Sequence, residues 1–567
     1  MGWGRGMRMR GRWATTVTLA ILVALAVTAF SLLRARLDER TTAALREAGI
    51  EGTVATIDAL ELTLSPPGLI LAVTLVKDPA VGGDAMGGLI NLSGALAVDW
   101  LGWGDLALTP VGCLTLRVED VTVAGTPLLA PEGARLCAVD GGPLLRWSPQ
   151  GAALTGALLV PRIDAPTRQL RADTVSVGLT QASNSAVTLD LSVGAIRDGR
   201  ALPVVTPLSL VARADHSAGE AWRFSGAVTG GHGALTVDFS GSHDPAAGTG
   251  QAELRGKPLR LGGKGAKLND LSPLLASLLT KVSGALTARA ALSWKGDALR
   301  SSGKLLIESL GGVVGPVTVV GLNGAVALSS LWPPVIPDGQ SVAMALLDVG
   351  VPLTDGVIRF GYGRDRRVDV DEAVWRWSGG TVRADPFELS PTAPKGLITL
   401  RAQGVDVAKL LEMIQVEGMA ATGVLSGVLP VRIQDGRARL VGGVFETSAP
   451  GTLRYAPASP PAGLSGPEGS PTALLMGALS DFRYESLRLS LDGEAGGELR
   501  AGLAVRGTNP TFYDGYPVAL NLTLSGALDR ILRQSLDAYH IPDAVRERMT
   551  GFDHPGADHL GVGHKEP

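Results

Sequence analysis

The chain offers few side chains whose type and spacing could do chemistry. It has seven histidines, and none of them stands in the HxH or HExxH spacing of a metal site. Several lie near the C-terminus beside two aspartates, where together they could hold a metal ion weakly. This set comprises Asp553, His554, Asp558, His559 and His564. Because a polar tail explains the same residues more simply, we expect neither a bound metal nor a cofactor.

The sequence signatures of a catalytic nucleophile are also missing. No G-x-S-x-G elbow occurs, and residues 262–267 (GGKGAK) lack both the spacing and the following Ser or Thr of a P-loop. The acidic residues Asp369, Asp371 and Glu372 stand close to three arginines and are interpreted as a solvated hairpin end. We therefore expect that the protein is not an enzyme. An envelope hydrolase built from residues distant in sequence stays open as an alternative.

The two cysteines, Cys113 and Cys137, could form a disulfide in an oxidising compartment. Neither belongs to a CxxC motif, which argues against metal binding and redox catalysis. Their spacing in the sequence does not fix the separation of their Cα atoms, so two unpaired thiols on strands remain the alternative.

Composition sets the chain apart from an average globular enzyme. Hydrophobic residues make up 45% and aromatic residues only 4%, with 75 glycines in 567 residues. The mean hydropathy is +0.23, although only one segment is long and apolar enough to span a membrane, so small and aliphatic residues are spread along the body. The formal net charge of -3 argues against a nucleic-acid binder.

That one segment, residues 14–33, carries no charge and would extend about 30 Å as a helix, the thickness of a hydrocarbon core. The basic residues before it are Arg5, Arg8, Arg10 and Arg12. Their excess places residues 1–13 in the cytoplasm and the body in the periplasm of a bacterium. A cleaved signal peptide is the alternative, but no A-x-A-like site follows. Residues 34–50 are expected to form a helical stalk.

Period-two alternation of apolar and polar residues recurs from residue 53 to about residue 525. Residues 187–193 (VTLDLSV), 487–492 (LRLSLD) and 518–525 (VALNLTLS) show it most clearly. Asp-Gly pairs between such runs, among them Asp338-Gly339, Asp355-Gly356 and Asp514-Gly515, predict hairpin turns. A loose repeat, Ser/Thr/Asn-Gly-Ala/Val-Leu/Val, opens many of the segments. The pattern predicts an all-β fold: an elongated, curled antiparallel sheet, forming a groove or rod, with an N-terminal transmembrane helix.

Three segments break the β pattern with helical spacing and predict a few short amphipathic helices. They begin near Leu271, Val407 and Leu528. Residues 331–339 and 457–471 are predicted as loops, and residues 550–567 as a flexible tail. The body is divided into an N-terminal β-groove region, residues 51–270, and a C-terminal one, residues 271–549.

A sheet with one apolar face must cover that face with a second sheet, helices, a membrane or bound lipid. The helical segments are too short to cover so much strand, and a sandwich core usually contains more aromatic residues. Burying each CH₂ of an acyl chain is worth about 0.8 kcal/mol, so an apolar groove could compete with a bilayer for lipid. The candidate lining residues share one face within each strand: Leu487, Leu489, Leu491, Val518, Leu520, Leu522 and Leu524.

The C-terminal half resembles a known family. Residues 422–436 (TGVLSGVLPVRIQDG) and 442–455 (GGVFETSAPGTLRY) are followed by 479–487 (LSDFRYESL), 507–510 (GTNP) and 515–518 (GYPV). In order and spacing these motifs resemble the YdbH family, AsmA-like proteins of Gram-negative envelopes related to TamB. The match is dense over residues 270–550, whereas upstream only the architecture agrees. The motif residues with an expected structural role are Gly427, Pro430, Gly436, Pro450, Gly451, Tyr455, Asn509, Pro510 and Pro517.

The resemblance implies bridge-like transport of phospholipid between the inner and outer membranes, in support of outer-membrane lipid homeostasis. It also implies a small outer-membrane lipoprotein as partner at the C-terminal β edge. The long Pro-rich insertion at residues 457–471 departs from the family pattern. The alternative that the residues leave open is a periplasmic β-scaffold for outer-membrane assembly, with a closed core and no bound lipid.

Overall fold

The computed structural model describes residues 53–526, apart from short gaps. The gaps are 65–66, 78–88, 103–104, 120, 124–125, 150, 183–185, 218, 297, 316, 350, 392–394, 415–416, 435–436, 459–465, 468–469 and 495–498. The predicted anchor and stalk, the helix predicted from Leu528 and the histidine-containing tail lie outside the described residues. Within those residues, no helix has the length and apolar character needed to cross a membrane.

The described chain is mostly β-strand, as the period-two pattern predicts. The strands in the first part are β1 Thr53–Leu64, β2 Pro67–Lys77, β3 Leu89–Gly102, β4 Asp105–Pro110, β5 Cys113–Glu119, β6 Val121–Val123, β7 Thr126–Leu128, β8 Ala134–Cys137, β9 Leu145–Ser148, β10 Gly151–Ala165, β11 Leu170–Gln181, β12 Val187–Asp198, β13 Leu208–His216, β14 Trp222–Gly230, β15 Leu235–Asp244, β16 Thr249–Gly256 and β17 Leu259–Leu261.

The remaining strands are β18 Thr280–Lys295, β19 Ala298–Val314, β20 Val317–Leu328, β21 Ser330–Leu331, β22 Pro334–Asp348, β23 Pro352–Tyr362, β24 Val368–Trp377, β25 Gly380–Ala384, β26 Phe387–Leu389, β27 Gly396–Asp406, β28 Met419–Ala421, β29 Val424–Gln434, β30 Arg437–Thr447, β31 Gly451–Tyr455, β32 Phe482–Glu494, β33 Leu499–Thr508 and β34 Val518–Gly526. Four short helices interrupt them: α1 Leu268–Leu271, α2 Pro273–Leu278, α3 Val407–Ile414 and α4 Pro471–Leu479.

Thirty-two of these strands belong to one antiparallel sheet, and β6 and β7 form a separate hairpin. Most strands pair with their neighbours in the sequence, as a chain of hairpins requires. The described chain divides into two compact units. The N-terminal unit runs to Leu259 and includes Lys264–Ser277 and Arg289–Arg300, and the C-terminal unit comprises Arg260–Gly263, Leu278–Ala288 and the chain from Ser301.

In the N-terminal unit, a disulfide joins Cys113 and Cys137, whose Cα atoms lie 4.4 Å apart. The two residues are direct partners in the pairing of β5 with β8. A small buried cluster nearby contains Ala134, Val160 and Val175. The strand register brings the two sulfur atoms together, because it places the two residues side by side. Their spacing in the sequence does not determine this separation.

The C-terminal unit contains the largest buried cluster. Its centre comprises Phe445, Phe482, Tyr484 and Val505, each at most 2% exposed, and helices α3 and α4 contribute Val407 and Leu479. A second cluster around Ile307, Val326 and Val342 lies on β19, β20 and β22. Helices α3 and α4 therefore pack on the sheet through these residues.

Several predicted hairpin turns prove to be irregularities within strands. Asp355 and Gly356 lie inside β23, at a register shift in its pairing with β24, and Asp338 lies at a shift inside β22. Asp355 has φ +49°. The prediction was wrong at these sites because an Asp-Gly pair supplies positive φ equally to a hairpin turn and to a bulge. Asp514 and Gly515 do form a turn, between β33 and β34.

Two other predictions need correction. Residues 331–339 are not a loop, because β22 begins at Pro334 and a tight turn at Trp332 and Pro333 joins it to β21. The single helix predicted near Leu271 is instead two short helices, α1 and α2, which are separated at Ser272. Strand β18 begins at Thr280, two residues after α2 ends. The helix predicted from Val407 is confirmed as α3.

Candidate functional site

The strand register of the C-terminal unit brings the predicted lining residues side by side. Leu489 on β32 lies opposite Leu503 on β33, which lies opposite Leu522 on β34. The same strands pair Leu487 with Leu520 through Val505, and Leu491 with Leu524 through Ala501. Val518 follows in the adjacent row, opposite Gly507. The register therefore places the residues chosen from alternation alone in adjacent rows, which we call the apolar patch.

This patch continues across the unit as rows of apolar and small residues. One row runs from β24 to β34 through Trp375, Val382, Ala402, Gly427, Phe445, Leu489, Leu503 and Leu522. A parallel row runs from β19 to β29 through Ile307, Gly324, Val342, Ile358, Ala373, Ala384, Leu400 and Leu429. Because rows cross the strands, each is a continuous apolar path through successive hairpins.

The opposite face of the same strands carries charge. Arg488 pairs with Glu446 at 3.2 Å, and Arg439 pairs with Asp492 at 3.5 Å. These side chains are exposed, so the pairs contribute little to stability. Their importance is that they mark the polar face, which leaves the alternate positions Leu487, Leu489 and Leu491 on the apolar one.

Burial along β32 changes from one end of the strand to the other. Phe482, Tyr484 and Leu487 are at most 6% exposed, whereas Leu489 and Leu491 on the same face are half-buried. The buried end packs in the cluster to which α4 contributes Leu479. The apolar face is therefore sealed by protein at one end of the strand and only partly covered at the other.

Tyr484 connects the buried end of β32 to neighbouring segments of the C-terminal unit. Its hydroxyl donates a 2.5 Å hydrogen bond to the carbonyl oxygen of Thr422, and burial raises the pKa of that hydroxyl above its ordinary value. Gly451 lies directly opposite Tyr484, and a Cβ atom at Gly451 or Gly423 would collide with the Tyr484 hydroxyl. The Pro450-Gly451 motif thus holds a glycine where only a glycine fits.

Asn509 fastens α4 to the sheet. The side chain is fully buried, and its Nδ2 donates to the carbonyl oxygens of Gly477 and Ala478 at 2.9 and 3.2 Å. Its Oδ1 accepts from the backbone and hydroxyl of Thr511, both at 2.9 Å. Asn509 therefore adds a donor at the end of α4, where the Gly477 carbonyl oxygen also accepts from the Ser480 hydroxyl, which gives the Asn-Pro motif a structural role.

The other motif residues also have positions that suit their types. Pro430 lies in β29 beside a register shift with β30, where a missing N–H is tolerated. Tyr455 packs against the buried cluster. Pro450, Pro510 and Pro517 are exposed at strand connections, and Gly436 lies outside the described residues.

Five of the repeated glycines share an environment that the sequence alone did not reveal. A Cβ atom at each of these five positions would contact an apolar side chain: Leu114 at Gly94, Leu144 at Gly156, Phe239 at Gly226, Val342 at Gly324 and Phe445 at Gly427. At Gly284, in contrast, a Cβ atom would collide with the backbone of Ser309 and Leu310. The five glycines thus each accommodate a large apolar side chain from another part of the sheet. The repeat is the signal that could have located this face along the whole chain.

The N-terminal unit has an apolar face of its own, which the predicted site residues did not include. One row runs from β10 to β18 through Leu158, Val177, Leu191, Ala212, Gly226, Phe239, Leu254 and Ala290. All of these residues are half-buried. The apolar face therefore remains partly exposed along a row that crosses seven strand pairings.

The polar groups form ion pairs and turns. Asp385 accepts two hydrogen bonds from Arg401, at 2.7 and 2.9 Å, which lower the pKa of its carboxyl group. Partial burial and nearby carboxylates raise the pKa of Asp369, in the predicted hairpin end. Among the residues that the structure describes, no group of three His, Cys, Asp or Glu side chains could hold a metal ion.

These features define an all-β protein built on a large antiparallel sheet with one continuous apolar face in each unit. A family model described as intermembrane phospholipid transport protein YdbH matches residues 25–550. The chain belongs to this YdbH-like family, which implies transport of phospholipid between membranes. No curated protein and no solved structure matches the chain.

Proposed function

We propose that this protein carries phospholipid between the inner and outer membranes of a Gram-negative bacterium along the apolar face of its sheet. The observation that carries the proposal is the set of unbroken apolar rows, which are half-buried along the N-terminal row and at Leu489 and Leu503 in the C-terminal unit. Acyl chains would cover the part of the face that protein leaves uncovered, at about 0.8 kcal/mol for each CH₂ buried. The sheet would curl around the chains as an elongated groove, and headgroups would remain near water.

The proposal places the protein at the inner membrane, with the N-terminus in the cytoplasm and the body in the periplasm. The uncharged segment 14–33 and the arginines before it support this topology. The disulfide between Cys113 and Cys137 suits an oxidising compartment. Transport of this kind needs no covalent step, so we propose that the protein is not an enzyme and needs no cofactor.

A small outer-membrane lipoprotein is the partner we propose at the C-terminal end of the sheet. Among the described residues, β34 pairs with β33 on one side and has no strand on its other side. An open strand edge can accept an extended segment of another chain by β-augmentation. Deleting Val518–Gly526 should therefore abolish partner binding, whereas pairing retained without β34 would contradict this assignment.

A scaffold without bound lipid is the second candidate. It is favoured by the sealed end of β32, where Phe482 and Tyr484 are at most 1% exposed and no lipid has room. In this view the C-terminal unit is an assembly platform with a closed core. The half-buried Leu489 and Leu491 on the same strand favour the transport proposal instead.

Carboxylates placed on the apolar face distinguish the two candidates. We expect Leu489→Asp combined with Leu503→Asp to lower lipid transfer between donor and acceptor vesicles by at least about tenfold, because a charge in an apolar path costs several kcal/mol. The matched control is Ser490→Asp, on the exposed polar face of the same strand. Equal transfer by the double variant and the control would contradict the proposed path.

A further inference from the structure

One margin of the apolar face in the N-terminal unit is lined by aromatic rings with polar atoms. His216, Trp222, His243 and Trp294 lie at the turn ends of β13, β14, β15 and β18, and we call them the aromatic row. Trp222 is paired with His243, which is paired with Gly250 and through it with Trp294. All four share the face of the apolar row that contains Ala212, Phe239 and Leu254, because they differ from those positions by even numbers of residues along each strand.

The rings of the aromatic row contact one another directly. His216 stacks on Trp222, with ring centroids 4.8 Å apart and an interplanar angle of 15°. Trp294 Nε1 donates a 3.1 Å hydrogen bond to His243 Nδ1. A Cβ atom at Gly250 would collide with the Trp294 indole, so this glycine lets the ring lie across β16 toward His243.

Among the described residues, these contacts leave one buried nitrogen atom of the aromatic row without a hydrogen-bond partner. An indole N–H can only donate, so the bond from Trp294 requires an unprotonated His243 Nδ1 and places the proton on Nε2. The Thr249 carbonyl oxygen, 3.2 Å from the same Nδ1, would serve the other tautomer. His216 Nδ1 is buried and has no hydrogen-bond partner among the described residues. Buried nitrogen atoms of this kind are usually hydrogen-bonded.

Away from the aromatic row the same face becomes entirely apolar. The next row contains Ala214, Phe224, Gly241, Ala252 and Leu292, and the rows beyond it contain only aliphatic residues, phenylalanine and glycine. From His216 to Leu208 along β13, the face extends roughly 26 Å at about 3.3 Å per residue. That distance exceeds the roughly 15 Å of one bilayer leaflet.

We propose that the aromatic row binds the phosphate group of a phospholipid whose acyl chains lie on the adjacent apolar rows. The inference rests on the proposed transport function and adds a headgroup site to it. Imidazole and indole rings are suited to a boundary where one side is apolar and the other is wet. The imidazole N–H groups donate to phosphate oxygens, and such hydrogen bonds to a charged acceptor are stronger than neutral ones.

The test compares three probes on the purified full-length protein: dioleoyl phosphatidylglycerol, dioleoylglycerol, which lacks the phosphate, and inorganic phosphate, which lacks the acyl chains. We expect the wild-type protein to prefer the phospholipid over the diacylglycerol. His216→Phe combined with His243→Phe should lower that preference about tenfold, the effect of losing a hydrogen bond to a charged group, while diacylglycerol binding is unchanged. Inorganic phosphate should not compete, because the site needs acyl chains beside it.

The matched control is His232→Asn. His232 is an exposed histidine at the other end of β14 and β15, and its left-handed conformation tolerates asparagine. The single variant His243→Phe should show part of the loss, and it keeps the test decisive if the double variant fails to fold. An unchanged preference in either variant, or displacement of the phospholipid by inorganic phosphate, would overturn the headgroup site. Failure of the wild-type protein to bind either lipid would instead refute the proposed function.

Discussion

Gly427 offers the sharpest test of how adjacent strands fit together on the apolar face. A Cβ atom at this position would collide with the Val444 carbonyl oxygen and with the backbone and ring of Phe445. Phe445 is 2% exposed and lies in the largest buried cluster, so neither the ring nor the strand can move freely. We therefore expect Gly427→Ala to destabilise the C-terminal unit by about 1–3 kcal/mol, the usual cost of overpacking.

The matched control is Gly396→Ala on β27. There the nearest atom to a Cβ would be the Glu388 carbonyl oxygen at 3.8 Å, an ordinary contact, and the loss of chain entropy in the unfolded state should make the change neutral or slightly stabilising. Thermal unfolding of the full-length protein, followed by circular dichroism, measures both variants. At roughly 2–4 °C per kcal/mol, Gly427→Ala should unfold several degrees earlier. Equal stability of the two variants would refute the proposed role of the repeated glycines.

Three further changes test individual contacts. Asn509→Ala should destabilise the protein by about 1–3 kcal/mol in urea unfolding, because the Ala478 carbonyl group loses the hydrogen bond from the buried amide; an unchanged midpoint would show that Asn509 does not hold α4. Replacing Cys113 and Cys137 with serine should cost about 3–4 kcal/mol in the chain-entropy model for a sequence separation of 24, and unfolding of the wild-type protein under reducing conditions should match the variant. Arg401 lowers the pKa of Asp385, so this pair stabilises the fold above the ordinary aspartate pKa of about 4 and loses that contribution as pH falls below it. Asp385→Asn should remove this part of the acid dependence, and an identical pH profile would contradict it.

The local pattern of the chain predicts the sheet and the identity of its apolar face. Alternation in residues 487–492 is enough to place Leu489 and Leu491 on one face of their strand, and alternation in residues 518–525 does the same for Val518 and Leu520, because side-chain direction in a strand repeats every two residues. It cannot predict which of these side chains are sealed. The burial of Leu487 depends on a cluster that it shares with residues distant in sequence, such as Val407 on α3.

Helix α4 could have been found from the sequence. Ser470 caps its N-terminus by accepting a hydrogen bond from the Ala473 backbone, and Pro471 occupies the first turn, a recognised helix-start signal. The predicted loop over residues 457–471 ends where this helix begins, and no helix is predicted directly after it. Asp355 and Gly356 show a position that the sequence could not assign, because the same dipeptide suits both a hairpin turn and an irregularity within a strand.

The aromatic row could not be assembled from the sequence. His216, His243 and Trp294 lie in separate strands, and only the register of β13 to β18 places them together. Neither histidine belongs to a recognisable sequence motif. The tilt of Trp294 toward His243 depends further on Gly250, which appears in the sequence as one of 75 glycines.

The central claim is that lipid lies on the apolar face, and photocrosslinking in cells tests it most directly. A photoreactive amino acid at Leu489 should yield lipid adducts, detected by mass spectrometry of the purified protein, whereas the same group at Ser490 on the polar face should yield none. A second probe pair in the N-terminal unit, at Leu191 and at the exposed Asp190, should give the same contrast. Phospholipid adducts at Leu489 and Leu191 alone are the predicted result. Absence of lipid at both apolar positions, with the protein folded and at its normal level, would contradict the account.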